Sequence, residues 1–101
     1  MNYKIKFKRE AKTDIKQTKD WYDTQRKGLG KDFFEALKKR LNFLSNNPYA
    51  YTSRYNQIRQ ALVTDYPYSV CYYIEESKKH IIVIAVTHTS RHPKSWKERE
   101  K

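Results

Sequence analysis

The segment from Ile81 to Trp96, IIVIAVTHTSRHPKSW, limits most strongly what this chain can fold into. Its first six residues are apolar and rich in β-branched side chains, which predicts a buried strand. Hydroxyl, imidazole and guanidinium groups follow at once, between Thr87 and His92. A rigid strand that ends in polar side chains is a common support for a functional site. The same pattern is also typical of a core strand that runs out into a solvated basic tail.

Period-two alternation predicts further strands elsewhere in the chain. The alternating stretches are residues 3–8, 58–62 and 68–74. The lysines at every second position of residues 3–8 would protect an exposed sheet edge from pairing with another chain. Within the last strand, one parity contains Ile82, Ile84, Val86 and His88. We therefore expect His88 to continue an apolar face at the end of that strand.

Two amphipathic helices are predicted between the first and second strands. The first begins at Arg9, has Asp14 near its start and is closed by Arg26 and Lys27. The second runs from about Lys31 to Ser45. Their apolar stripes are Ala11, Ile15, Thr18 and Tyr22 in the first helix, flanked by Trp21, and Phe34, Leu37, Leu41 and Leu44 in the second, with Phe33 beside them.

The helices are joined by Gly28-Leu29-Gly30, a tight turn in which we expect Gly28 to end the first helix and Gly30 to be the N-cap of the second. A nucleotide-binding loop is a poor interpretation of this Gly-x-Gly, because it follows a helix and lacks a third glycine.

The order β-α-α-β-β-β predicts an α+β fold, with a small, mainly antiparallel sheet and a helical hairpin packed on one of its faces. We expect one domain over residues 1–101, with a polar basic tail from about residue 88. The other face of the sheet would then carry the positive groups, and Arg59 and Arg91 would converge on it.

The charge balance points to a polyanionic or acidic partner. The chain contains 22 Lys and Arg residues but only 11 Asp and Glu residues, so its formal net charge is +11. RNA, DNA and an acidic protein segment all fit this charge. The tyrosine-rich loop at residues 48–56 would stack on bases or contact phosphates, or would simply cover the sheet edge. We expect Arg54 and Tyr55 in this loop, and Lys94 in the tail, to contact the target.

Composition also predicts a cytoplasmic protein that binds no membrane. Cys71 is the only cysteine, the first residues lack an apolar signal segment, and the longest aliphatic run has six residues. We expect no cofactor. The spacing of His88 and His92 suggests a metal pair, but zinc requires three or four ligands, so no metal site is predicted.

Four segments in order, DWYDTQRKGLGKDF, NNPYAY, IRQALVTDYPYSVCYYI and AVTHTSRHPKSW, resemble the RelE/ParE superfamily of toxins from type II toxin–antitoxin modules. The resemblance extends from Tyr3 to about Trp96. It implies the β-α-α-β-β-β fold and a toxin held inactive by a cognate acidic antitoxin. RelE-like members are endoribonucleases that cleave mRNA on the ribosome, whereas ParE-like members inhibit DNA gyrase without being enzymes. Whether this chain is an enzyme is therefore left open at this point.

The resemblance assigns candidate site residues. Arg59 matches the strand arginine and Arg91 the arginine after the last strand, and both would clamp phosphate. His88 would act as a general acid or base. RelE-like members place a catalytic tyrosine near the C-terminus, but here no tyrosine follows Tyr73 and Trp96 stands in that region. We therefore favour a ParE-like gyrase inhibitor, with an mRNA endonuclease and a non-toxic nucleic-acid-binding module as alternatives.

Overall fold

The computed structural model describes residues 2–91, except for the side chains of Arg54 and Tyr55. The predicted order of elements is confirmed, with one additional short strand, β2. The elements are β1 Lys4–Phe7, α1 Arg9–Gln25, α2 Leu29–Asn46, β2 Ser53–Tyr55, β3 Ile58–Leu62, β4 Tyr68–Glu75 and β5 His80–His88. One turn of 3₁₀-helix, Glu76–Lys78, joins β4 to β5. None of the described helices is long and apolar enough to cross a membrane.

The strands form one mixed sheet in the order β1-β5-β4-β3-β2. Strands β1 and β5 pair in parallel. The pairs β2–β3, β3–β4 and β4–β5 are antiparallel. A parallel pair needs a long crossover connection, and the chain between β1 and β5 includes the helical hairpin. The α+β fold predicted from the sequence is therefore confirmed.

The helices cover one face of the sheet, and the main core lies between them. Phe33, Leu37 and Leu44 of α2 have no exposed surface. The stripe of α2 thus includes Phe33 instead of Phe34, which differs from the prediction. The ring of Phe33 stacks on Tyr22 at 5.4 Å, whereas Phe34 is only partly buried.

The turn between the helices is built differently from the prediction. Gly28 has a φ of 89° and is itself the N-cap of α2, so the prediction of Gly30 as N-cap is wrong. Gly30 lies inside α2, where its N–H donates to Asp23 Oδ1 at 2.8 Å. A Cβ at Gly30 would lie 2.5 Å from the carbonyl oxygen of Lys19. A glycine is required there because the two helices approach so closely.

Strand β5 contains a β-bulge that reverses its alternation. Tyr72 pairs with Val83 and its neighbour Cys71 pairs with Ala85, so Ile84 is the extra residue. Val83 and Val86 belong to the core under the helices, whereas Ile84 and Ala85 belong to a second apolar cluster. The expectation that the residues of one parity share a face along β5 is therefore wrong.

The face of the sheet away from the helices is apolar at its centre. It carries the second cluster, formed by Ile58, Cys71, Ile84 and Ala85, all without exposed surface. The lysines of this face, Lys4 and Lys6, lie at the edge strand β1. The prediction that this face carries Arg59 and Arg91 together is wrong, as the site geometry shows below.

Candidate functional site

A cleft of about 250 Å³ lies between α1 and the end of β5, and it brings together two predicted site residues, His88 and Arg91. Polar and aromatic side chains of α1 form one wall of the cleft, and the end of β5 forms the opposite wall. The remaining lining residues are Asp14, Gln17, Thr18, Trp21, Tyr68, Val86 and Thr87.

A tight turn at the end of β5 positions the cleft residues. The strand pairing continues until His88 lies opposite Tyr68. Beyond it, the N–H of Thr89 donates to the carbonyl oxygen of Pro67 at 2.9 Å, and the N–H of Arg91 donates to that of His88 at 3.0 Å. The polar residues that follow the strand are therefore held beside the start of β4.

Hydrogen bonding fixes the tautomer of the exposed His88. Its Nδ1 accepts a hydrogen bond from the backbone N–H of Ser90 at 3.1 Å and lies 2.8 Å from Ser90 Oγ. Because an N–H donor requires a lone pair on Nδ1, the neutral ring carries its proton on Nε2. The ring packs edge-on against Tyr68, with 5.3 Å between centroids. His88 thus has an Nε2–H group that can donate a hydrogen bond.

Asp14 joins the helix to the strand inside the cleft. Its Oδ2 accepts a hydrogen bond from the N–H of Val86 at 3.1 Å. Sequence reasoning identified Asp14 only as an acidic residue near a helix start. Its contact depends on how α1 crosses the sheet, and no local pattern in the sequence indicates that.

Trp21 is a second cleft residue that sequence reasoning did not select. It is 53% exposed although it is the largest side chain on α1, and its ring packs edge-on against Tyr22. Its place beside the apolar stripe was visible in the sequence. The combination of its exposure and its place in the cleft indicates that Trp21 is a contact residue.

Arg59, the third predicted site residue, lies elsewhere. Arg59 lies on the side of the sheet that the helices cover. It is opposite Tyr72 of β4, whereas His88 is opposite Tyr68, four residues earlier on the same strand. Four residues along a strand span about 13 Å, and the two residues are also two strands apart, about 10 Å. Arg59 and His88 therefore do not form one constellation.

The contacts of Arg59 are those of a residue that holds a loop. Its guanidinium Nη1 donates to the carbonyl oxygen of Tyr51. The same guanidinium lies 4.9 Å from the ring centroid of Tyr49. Both tyrosines belong to the tyrosine-rich segment between α2 and β2.

Two more interactions fasten this loop. The buried Tyr72 hydroxyl donates to the carbonyl oxygen of Pro48 at 2.9 Å, and burial raises the pKa of Tyr72 to about 12. At the surface, Glu76 accepts hydrogen bonds from Lys79, from Tyr49 at 2.5 Å and from Tyr3 at 2.9 Å. These donors, with Lys79 first, lower the pKa of Glu76 to about 2. The loop is thereby tied to the sheet and to β1.

The three predicted target contacts are only partly located. Arg54 and Tyr55 lie on β2, which pairs with β3 at the sheet edge. Lys94 lies outside the described residues, as do His92 and Trp96. Within residues 2–91, no group of three or more His, Cys, Asp or Glu side chains is arranged to hold a metal ion.

The fold and the cleft define a small basic α+β protein, in which a helical hairpin covers one face of a five-stranded mixed sheet. The family model described as "ParE toxin of type II toxin-antitoxin system, parDE" matches residues 5–93. Because this match spans most of the sequence, the chain belongs to the ParE toxin family, and the resemblance to the RelE/ParE superfamily is confirmed. No curated protein matches the chain.

Solved structures of toxins share the fold. A structure of the chromosomal ParDE toxin–antitoxin system from P. aeruginosa matches with a TM-score of 0.74 and 17% identity, over 85% of this chain and 95% of that one. A mutant of the E. coli toxin RelE in its free state matches with a TM-score of 0.69 and 22% identity, over 89% and 86%. The RelBE2 complex from Mycobacterium tuberculosis gives a TM-score of 0.61 and 18% identity, over 87% and 99%.

Proposed function

We propose that this toxin arrests growth by inhibiting DNA gyrase in the cytoplasm, and that it does so without catalysing a reaction. The observation that carries the proposal is the separation of Arg59 from His88 and Arg91. Cleavage of RNA requires a proton-transfer group and cations around one phosphate, held within hydrogen-bonding distance of it. Arg59 lies too far from the cleft and is engaged by Tyr51. Membership in the ParE family supports the same target.

We also propose a cognate acidic antitoxin as the protein's partner. The chain has a formal net charge of +11, and an acidic disordered segment is suited to cover a large positive surface. Two of the similar structures are named as toxin–antitoxin systems or complexes. If co-expression with the neighbouring acidic gene product yields no complex, this part of the proposal is wrong.

RNA cleavage on the ribosome remains the second candidate, because His88 and Arg91 line one cleft. In that mechanism the 2′-hydroxyl of the RNA would attack phosphorus and lose its proton to water, and Arg91 would bind the equatorial oxygens of the phosphate. To protonate the leaving oxygen from Nε2, His88 would have to be an imidazolium, so its Nδ1 would give up the hydrogen bond that it accepts from the N–H of Ser90. The mechanism would have to proceed without Arg59.

The experiment that separates the candidates adds the purified toxin to a gyrase supercoiling assay and to cell-free translation with mapping of mRNA ends. We expect blocked supercoiling and intact mRNA. Ribosome-dependent cuts that disappear in His88→Ala would overturn the gyrase proposal. Lys31→Ala is the matched control, since Lys31 is an exposed cation on α2 outside the cleft lining. A non-toxic nucleic-acid-binding module would bind nucleic acid at low salt and leave cells growing when it is induced.

A further inference from the structure

A groove of about 560 Å³ lies between α2 and the turn that joins β3 to β4, apart from the cleft beside β5. Its apolar lining residues are Leu29, Ala36 and Tyr66, and each of them is partly exposed. A concave surface of this size is typical of binding sites. None of the predicted site residues that the structure describes lines it, so the functions considered above leave the groove unassigned.

The turn that forms one wall of the groove is held in place by the rest of the fold. Arg40 of α2 donates from Nε to the carbonyl oxygen of Leu62 at 2.8 Å and from Nη2 to Thr64 Oγ1 at 3.1 Å. The ring of Tyr66 packs edge-on against Phe33 of the core, with 5.3 Å between the ring centroids. The groove is therefore preformed, and a partner loses little free energy in ordering it.

The charge of the groove is opposite to that of the whole molecule. Its lining includes the carboxylates of Asp32, Glu35 and Asp65 and the ammonium group of Lys39, so the lining has a net charge of −2. The whole chain has a net charge of +11. Burial, and then the charges of Asp32 and Asp65, raise the pKa of the Tyr66 hydroxyl. These two aspartates, one on each wall, therefore face the same part of the groove.

The carboxylates of the groove are available to an incoming cation. Asp32 Oδ2 lies 3.8 Å from Arg26 Nη2, and Glu35 Oε2 lies 3.4 Å from Lys38 Nζ. Both pairs are well exposed, so each contributes little free energy and exchanges readily for another cation. Among the residues that the structure describes, Asp65 has no ion-pair partner.

We propose that this groove is a docking site for a short basic segment of a partner protein. Arginine or lysine side chains of the segment bind the carboxylates, and their aliphatic stems pack on the apolar lining. This partner differs from the polyanion that the overall charge predicts, because phosphates and acidic side chains are repelled at this groove. The proposal goes beyond the choice of gyrase or ribosome as target and does not depend on it.

The layout of the groove favours a peptide over a metal ion or a polyamine. Within the described part of the chain, no three carboxylates converge to hold a metal ion. From Leu29 to Lys39 the helix rises about 15 Å, which is the length of about four to five extended residues. Asp32 and Glu35 lie in the first half of this stretch and Lys39 at its end. A polyamine has cations along its whole length and meets Lys39, whereas a peptide segment can have its cations at one end only.

The test titrates the full-length, isotope-labelled toxin with the end-blocked hexapeptide Arg-Leu-Arg-Leu-Ala-Glu, followed by NMR. We expect shifts at the backbone amides of Glu35, Asp65 and Tyr66 and none at His88. A peptide with glutamate in place of arginine and lysine in place of glutamate should bind about tenfold more weakly. Equal affinity of the two peptides would overturn the proposal, and so would the absence of shifts at these amides with the first peptide in millimolar excess.

Charge-matched variants separate the groove from the overall charge. Glu35→Gln with Asp65→Asn removes two carboxylates of the groove, whereas Glu10→Gln with Asp20→Asn removes two exposed carboxylates of α1 outside the groove lining. Both double variants raise the net charge by two, so long-range repulsion of the basic peptide increases equally. We expect the groove variant to bind the peptide about fivefold more weakly than the α1 variant. Equal affinities would assign the effect to net charge and overturn the proposal.

A further variant tests whether the peptide lies inside the groove. Ala36→Gln fills part of the apolar lining without a change of charge, and glutamine is a good helix former, so the fold is retained. We expect it to weaken peptide binding by about threefold, because the stems of the basic side chains lose their apolar contact. Unchanged affinity would mean that only the rim charges attract the peptide, and it would overturn docking in the groove.

Two controls address other occupants of the groove. Spermidine that displaces the peptide at equal concentration would assign the groove to a polyamine and overturn the protein partner. Sedimentation of the toxin alone should show a monomer, and a dimer that Glu35→Gln with Asp65→Asn dissociates would assign the groove to a second copy of the chain. Failure of the peptide arms with retained gyrase inhibition would leave the proposed function intact.

Discussion

Tyr72 shows how a single buried hydroxyl holds a loop. Its side chain has no exposed surface and donates to the carbonyl oxygen of Pro48 at 2.9 Å. Replacing it by phenylalanine leaves that carbonyl without its partner in a buried place. We expect Tyr72→Phe to lower the free energy of unfolding by about 1–3 kcal/mol at neutral pH. Chemical denaturation measures this loss, and no change would mean that solvent replaces the hydroxyl.

The same residue predicts how stability depends on alkaline pH. The pKa of Tyr72 is about 12 in the folded protein and 10.0 for an ordinary tyrosine. The unfolded chain therefore releases this proton from about pH 10 upward, while the folded protein keeps it until about pH 12. The contribution of Tyr72 to stability is complete below pH 10 and is lost as the pH rises through that range. The difference in stability between wild type and Tyr72→Phe should shrink accordingly, and a constant difference would contradict the assignment.

Replacing each of the two arginines of the predicted site should affect stability differently. Arg59 bonds to the carbonyl oxygen of Tyr51 and stacks near Tyr49, whereas Arg91 is exposed. We expect Arg59→Ala to lower the free energy of unfolding by about 1.5–3 kcal/mol, the range for a charged hydrogen bond. Arg91→Ala should change it by less than about 0.5 kcal/mol while weakening toxicity. Thermal unfolding and growth assays of both variants measure this, and equal stability losses would place Arg91 in a structural contact as well.

The position of Arg59 was beyond sequence reasoning for a specific reason. The strand IRQAL has apolar residues on both parities, so its pattern does not show which face is buried. The structure assigns Ala61 to the core under the helices and Ile58 to the second cluster. The arginine beside Ile58 consequently points to the helix side, at the level of Tyr72 rather than at the end of β5 where Arg91 follows.

At the scale of elements, the two glycines near the helix junction are required for different structural reasons. Gly28 has a φ of 89°, with open space where a Cβ would be. Gly30 has no unusual φ, but a Cβ there would meet Lys19 and Asp23 of α1. Gly28→Ala should cost about 1–2 kcal/mol through backbone strain alone.

Gly30→Ala should also lower the free energy of unfolding, although alanine is the better helix former by about 1 kcal/mol. The added methyl group would lie 2.5 Å from the backbone oxygen of Lys19, so it forces α1 and α2 apart, and overpacking of this kind typically costs about 1–3 kcal/mol, occasionally more. Denaturant titration of both variants, with Lys31→Ala as an exposed control on α2, compares the losses. A stabilised Gly30→Ala would show that the helices separate easily.

The elements that the sequence predicted are those with a strong internal period. Both helices, β1, β3, β4 and β5 lie close to their predicted bounds because each shows its own pattern of apolar residues. Strand β2 was missed because three polar and aromatic residues at a sheet edge carry no such pattern. The bulge at Ile84 was missed because it is decided by pairing between strands. That bulge sets which face His88 occupies, so the cleft itself was not predictable.

At the scale of the whole molecule, the positive charge is unevenly distributed. Helix α1 contains four basic and four acidic residues, so it is neutral overall. Residues 4–8 contain three lysines and no acidic residue, and Arg26 and Lys27 add two more cations at the turn between the helices. The net charge of +11 thus includes a local excess at the β1 edge of the sheet.

This distribution predicts that position matters more than total charge in polyanion binding. Lys4→Gln with Lys6→Gln, and Lys12→Gln with Lys16→Gln, each lower the net charge by two at exposed positions. Affinity for a duplex DNA should fall linearly with salt on logarithmic scales, and each lysine that contacts a phosphate contributes about 0.9 to that slope. The β1 pair should therefore reduce the slope by up to about 1.8, and the α1 pair by much less. Fluorescence anisotropy across a salt series measures both, and equal slopes would mean that net charge alone governs the binding.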